Sequence, residues 1–265
     1  MRIDFHTHTF SPKIVKRALS SLSQRSGNLL PQTDGTINGL LYSMDENNID
    51  MAVVLNIATK PHQQRVVNDY AIEIMQYERI VAFGSVHPYA EDCLEELDYI
   101  KNAGMKGIKL HPDYQNFFVD DERAFRVYEK CGELGLITVF HAGVDIGYPL
   151  PVHCTPDRLA KVLPYFGGAP VVAAHFGGNL LVEEVLNELA GLDVYFDTSY
   201  CYANKPPKLA RKIIDKHGVD KLLFGSDSPW SSQGNELLWL DSLQLNEADM
   251  QAILGGNAAK LLGVG

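Results

Sequence analysis

Cysteine is scarce in this chain and never paired. Cys93, Cys131, Cys154 and Cys201 are the only four in 265 residues, far apart and without a Cys-x-x-Cys spacing. That spacing does not make a disulfide framework and suits reduced thiols in a cytoplasmic protein. No stretch approaches the ~18–20 consecutive apolar residues that span a bilayer. The opening MRIDFHTHTF carries no apolar core and no small-residue cleavage site. Runs of lysine or arginine are absent, and 23 basic against 33 acidic residues leave a formal charge of −10. Nucleic acid and anionic membrane are therefore not expected partners. The 22 glycines and 13 prolines follow no period, which excludes fibrous repeats. What remains, at 46% hydrophobic and 21% charged, is an ordinary globular chain. Its expected partner is a small-molecule substrate, with homo-oligomer formation left open.

Short β-rich apolar runs recur along the whole length. They are Arg2–His6, Met51–Ile57, Ile80–Val86, Met105–His111, Leu136–His141, Pro170–His175, Leu192–Thr198 and Lys221–Ser226. Most are continuous rather than alternating, as expected of strands buried on both faces in a parallel sheet. Helical patterns lie between them. Thr155-Pro156 reads as an N-cap with proline at the first helical position, followed by Leu159, Val162, Leu163 and Phe166 on one face. Asp120 and Asp121 open another helix, and Leu181, Val182, Val185, Leu186 and Leu189 mark a third. Asn246 caps the penultimate helix, Gly255-Gly256 ends it, and Asn257 starts the last.

Eight strand–helix units close most naturally into a single (β/α)8 TIM barrel, here one α/β domain over residues 1–265. An open doubly wound sheet is the competing architecture. It calls for a glycine-rich phosphate turn after an early strand, and there is none.

Six of the nine histidines, His6, His8, His87, His111, His141 and His175, stand at C-terminal ends of candidate strands, as does Asp227 in LLFGSD. Those ends form the catalytic rim of a barrel. His6 and His8, two apart, share a strand face ~6.6 Å apart and can converge on one ion. Each polar residue follows an apolar run, where a buried polar side chain must be paired or ligated. Imidazoles with one carboxylate suit Zn²⁺, with Mn²⁺, Fe²⁺ or Co²⁺ as alternatives.

HTH after the first strand, KLHP after the fourth, FHAG after the fifth, AHFGG after the sixth, GSDSPW after the eighth and the closing GGNAAKLLG together resemble the amidohydrolase superfamily. Within it they resemble the amidohydrolase-2 family, which includes metal-dependent decarboxylases similar to aminocarboxymuconate semialdehyde decarboxylase. The resemblance runs from His6 to Gly263. It implies His6, His8, His141 and Asp227 as ligands of one divalent metal, most simply zinc. It implies His175 beside the metal-bound water, with Asp227 and His175 as the catalytic pair.

Lys109 and His111 share the strand face turned to the barrel mouth and are candidate substrate-binding residues. Lys109 has three readings: a carboxylated bridge between two metals, a cation for substrate or Asp227, or a structural ion-pair partner. His111 contacts substrate or fixes its loop. His87 reads as a turn residue, and His62, His153 and His217 as surface or loop residues. Phe117, Phe118 and Trp230 either line a pocket or pack. The segment GVDIGYPLPVHC after His141 exceeds the usual 2–6-residue connection and is a candidate lid.

The expected activity is metal-dependent hydrolysis of a small ester, lactone or amide. Non-oxidative decarboxylation on the same scaffold is the alternative, and a non-catalytic metal-binding barrel is the alternative from another class. Decarboxylation calls for a carboxylate clamp, usually arginine. The segments directly after strands five to eight contain no arginine; Arg17, Arg25 and Lys60 lie after strands one and two. A phosphoesterase barrel that also begins with His-x-His would want an Asp-x-His near its end, which GSDSPW lacks.

Overall fold

A computed structural model describes all 265 residues. Eight parallel strands alternate with helices. The strands are β1 Ile3–Thr7, β2 Met51–Leu55, β3 Ile80–Phe83, β4 Gly107–Leu110, β5 Ile137–Phe140, β6 Val171–Ala173, β7 Tyr195–Asp197 and β8 Leu222–Leu223. After β1 come α1 Val15–Arg25 and α2 Ile37–Glu46, after β2 α3 Gln64–Ile74, and after β3 α4 Cys93–Asn102. β4 is followed by the short α5 Pro112–Gln115 and by α6 Glu122–Leu134, β5 by α7 Pro156–Val162, and β6 by α8 Val182–Glu184. β7 is followed by α9 Pro207–His217, and β8 by α10 Gln233–Ser242, α11 Glu247–Gln251 and α12 Asn257–Leu262. No helix is long and apolar enough to cross a membrane.

The strands pair in order β1-β2-β3 and β4 to β8. Two seams close them into a (β/α)8 barrel. Lys109 N donates to Gly84 O at 2.8 Å, joining β3 to β4, and Phe5 N donates to Phe224 O at 2.7 Å, joining β1 to β8. The barrel interior is filled by Ile3, Phe5, Val53, Leu55, Phe83 and Val139 with their neighbours. Alternate residues such as Ile108, Leu110, Val54 and Ala173 face outward into the core under the helices. Each strand thus buries both faces, which is why its sequence reads as a continuous apolar run.

The helix starts follow local chemistry. Asp121 caps α6 by accepting from Arg123 N, and Asn246 caps α11 by accepting from Asp249 N. Thr155 precedes Pro156 at the start of α7 but makes no capping bond; its hydroxyl donates to Asp157 instead. The expectation that Gly255-Gly256 ends a helix is corrected. Ala252–Gly256 form a wider π-helical turn that leads directly into α12. The glycine serves a close approach: a Cβ on Gly255 would lie 2.3 Å from Met1 O. Ala258 and Leu262 of α12 then join the interior cluster next to Ile3, so the last helix plugs the end of the barrel remote from the histidines.

Candidate active site

β1 delivers two imidazoles to the C-terminal rim. His6 is buried, and its Nδ1 lies 2.8 Å from Asp197 Oδ2. His8 Nδ1 lies 2.8 Å from Leu55 O. A carbonyl and a carboxylate both accept, so each Nδ1 carries a ring proton and Nε2 is the atom turned into the cluster. Those Nε2 atoms face each other at 3.2 Å. Asp227 Oδ1 completes the group, 3.4 Å from His6 Nε2 and 3.2 Å from His8 Nε2. Burial, with Lys109 nearby, pushes the His6 imidazole down to about 3, so it is neutral at pH 7. Two imidazole nitrogens and a carboxylate oxygen thus converge on one point, a donor set that suits a divalent cation.

Asp227 is placed by its backbone. Its N donates to His6 O at 2.7 Å, and its φ of +68° is left-handed, unusual for a residue with a side chain. Burial works against its charge, but His8 and His6 outweigh it and hold the carboxyl below its ordinary range.

A second row of side chains lies alongside. His175 Nε2 lies 3.0 Å from His141 Nδ1, and His175 Nδ1 lies 2.9 Å from Ser199 Oγ. Ser199 Oγ donates to Asp197 Oδ1 at 2.5 Å. Asp197 Oδ1 also accepts the backbone N–H groups of His175 (3.0 Å) and Ser199 (3.1 Å). The carboxylate is a hub: one oxygen orients His6 and the other holds the β6 and β7 ends together. Burial alone would raise it, but His6 holds it well below the carboxylate range. His141 Nε2 is buried with no partner in the protein.

The structure brings His6, His8 and Asp227 to one point and lays His141 beside His175 rather than among those three. All four share one cavity with His175, Lys109 and His111. Lys109 is fully buried, 3.5 Å from His6 Nε2, and desolvation pushes its amine down to about 8. His111 accepts from Tyr114 N, approaches Asp145 Oδ2 at 3.3 Å and is sandwiched between Tyr114 and His141 at 3.9 and 4.1 Å between ring centroids. It fixes its loop and lines the cavity at once.

The remaining histidines lie outside this cluster. His87 Nδ1 accepts from Tyr89 N in a turn, and His62 is exposed. His153 lies in a loop, as expected, and His217 is half-buried at the end of α9 rather than in a loop. His153 is buried, with Nδ1 3.2 Å from Pro112 O, and His217 stacks on Phe196 at 3.9 Å. Phe117 packs in the core, while Trp230 lines the cavity.

The cavity holds about 680 Å³. Its floor is the histidine–aspartate cluster. The cavity is also lined by Val144, Asp145, Ile146 and Tyr148 of the long segment after β5 and by residues of α1. The scarcity of arginine read after strands five to eight is offset from elsewhere, because α1 brings Arg17 and Arg25 to this cavity. Asp197 and Ser199 escaped the sequence reading. Their signal was the one that marked Asp227, a polar residue closing an apolar strand.

The fold and rim define an α/β barrel with a histidine–aspartate cluster that could hold a metal ion. The amidohydrolase family model matches residues 3–264, and the chain belongs to that family. Solved structures with the same fold include 5-carboxyvanillate decarboxylase of Sphingomonas paucimobilis (14% identity, covering 100% of this chain and 99% of that one, TM-score 0.74). An uncharacterised TIM-barrel protein of Bordetella bronchiseptica matches at 18% identity over 99% and 98%, with a TM-score of 0.77. A probable 2-pyrone-4,6-dicarboxylic acid hydrolase of Acinetobacter baumannii matches at 20% identity over 99% of both chains, with a TM-score of 0.70. No curated protein matches the chain.

Proposed function

We propose that the chain is a metal-dependent hydrolase of a small ester, lactone or amide. The observation that carries the reading is the convergence of His6 Nε2, His8 Nε2 and Asp227 Oδ1 beside the His175–Ser199–Asp197 row. His6, His8 and Asp227 would hold one divalent cation, with His141, whose buried Nε2 has no partner in the protein, as a further ligand. Zinc is the simplest choice, with manganese, iron or cobalt as alternatives. Bound there, such an ion supplies Lewis acidity toward a carbonyl oxygen and acidifies water. Asp227 takes the proton of the attacking water and returns it to the leaving group. His175, whose Nδ1 donates to Ser199 Oγ, presents its Nε2 lone pair to the attacking water and orients it. Asp197 keeps His6 in the tautomer that leaves Nε2 free.

Decarboxylation is the second reading, favoured by Lys109, a buried cation next to His6, and by Arg17 and Arg25 in the cavity. Hydrolysis fits the layout better. Both arginines are exposed at the mouth, away from the buried floor where a departing carboxylate would sit. A panel of lactones, esters and amides, run beside aromatic and enolic carboxylic acids, tests the choice. Hydrolysis products from the first set and no CO₂ from the second are expected. CO₂ release with no hydrolysis reverses it.

A further inference from the structure

The stretch from His8 to Thr33 is anomalous in an acidic chain. It contains Lys13, Lys16, Arg17 and Arg25 and no aspartate or glutamate. Its helix, α1, is anomalous as well, because Val15 is its only buried residue. A helix that covers a barrel strand normally buries a whole apolar stripe. The stripe of α1 faces the cavity instead: Ile14, Arg17, Ala18, Ser21, Leu22 and Arg25 all line it, at the spacing of one helical face. α1 is therefore a roof over the site rather than a buttress of the barrel. The long segment after β5 meets it there; a Cβ on Gly147 would lie 2.7 Å from Ser26 Oγ.

The arginines of this roof differ from the others. Arg65, Arg79, Arg123, Arg158 and Arg211 each pair with a carboxylate. Arg2 and Arg126 donate to backbone carbonyls. Arg17 and Arg25 alone among the nine make no hydrogen bond or ion pair in the protein. Eight residues apart on a helix, they stand ~12 Å from each other along the axis. The same cavity is lined by the apolar Leu22 and Ile146, by Tyr148 and by the carboxylate of Asp145. Guanidinium groups left unpaired on a cavity wall match the planar, bidentate geometry of a carboxylate.

We infer that Arg17 and Arg25 bind a carboxylate at the end of the substrate remote from the reacting carbonyl. This inference rests on the reading that reaction occurs at the histidine–aspartate floor. The substrate class is thereby narrowed to a carboxylate-bearing acyl compound. α1 is the element that selects it, and Lys16, on the outer face of the same helix, takes no part.

The test uses binding and needs no turnover. The zinc-loaded protein is titrated calorimetrically with α,ω-dicarboxylates from succinate to sebacate and with the monocarboxylates of matching length. At least one dicarboxylate is expected to bind tenfold or more tighter than its monocarboxylate partner. The double variant Arg17→Gln, Arg25→Gln should lose that advantage and keep its monocarboxylate affinity, whereas Lys16→Gln should keep both. Thermal unfolding of the double variant checks that α1 still packs. The inference is overturned if no dicarboxylate outbinds its partner in the wild type, or if the advantage survives in the double variant or disappears in Lys16→Gln. A protein that shows the expected binding but hydrolyses nothing keeps this inference and removes the hydrolase reading, so the two fail separately.

Discussion

Asp197 Oδ2 accepts the Nδ1 proton of His6 at 2.8 Å, and both side chains are buried. The carboxylate fixes the ring's tautomer and orientation and raises the donor strength of Nε2. Partners of this kind typically contribute 10–100-fold in metal affinity. Asp197→Asn should therefore weaken metal binding by that range while the chain stays folded. Competition with a chromophoric chelator measures it, and an unchanged affinity would show that Asp197 is merely structural.

His6 and His175 should separate by role. His6→Ala removes a converging Nε2 and should lose bound metal. His175→Ala should retain most of it and lose turnover, by about 10²-fold, the scale of losing a positioning contact. Elemental analysis beside a rate assay decides. Equal metal loss in both variants would place His175 among the ligands, a real alternative given its 3.0 Å contact with His141.

Stability should depend on Glu236. Its side chain is fully buried and accepts from Cys201 N, Tyr202 N and Ser231 Oγ. Burial pushes its carboxyl up to about 8 from an ordinary 4.5. A raised folded-state value means that the folded chain holds a proton which the unfolded chain has released. The contribution is full below about 4.5 and is lost as pH rises through about 8. Its size is on the order of a few kcal/mol, at ~1.4 kcal/mol per pKa unit. Glu236→Gln keeps the acceptor and removes the titration. Urea midpoints at pH 5 and pH 8.5 should converge in the variant and differ in the wild type. Parallel pH trends would refute the assignment.

Gly255 tests the corrected end of the barrel. A methyl at this position meets Met1 O, a backbone atom that cannot rotate away. Gly255→Ala should destabilise by about 1–3 kcal/mol, as overpacking does. Ordinarily glycine to alanine in a helix stabilises, so the sign alone is informative. Denaturant unfolding gives it.

The eight strands were legible because both faces are buried, so apolar runs survive without alternation. Their ends were also visible, since a polar residue closing such a run, as in His6 or Asp227, has to be satisfied by the site. Asp197 obeys the same rule and was passed over because YFDTS matches no metal-ligand motif. The turning of His141 toward His175 was not legible, since ring orientation depends on stacking against His111. Nor was the roof. The periodicity of α1 is an ordinary amphipathic pattern, and only the tertiary structure shows that its stripe faces a cavity. At Gly255-Gly256, a sequence signal for stopping a helix was overridden by the need to admit the Met1 backbone.

The central claim is that His6, His8 and Asp227 gather one divalent ion on which activity depends. Metal content per chain after exhaustive dialysis, measured on the wild type and on His8→Ala, tests it most directly. The account predicts about one equivalent of a divalent transition metal in the wild type and less than about a tenth in the variant, as expected when a first ligand is removed. Equal metal content in the two proteins, or full turnover by a metal-free chain, would contradict it.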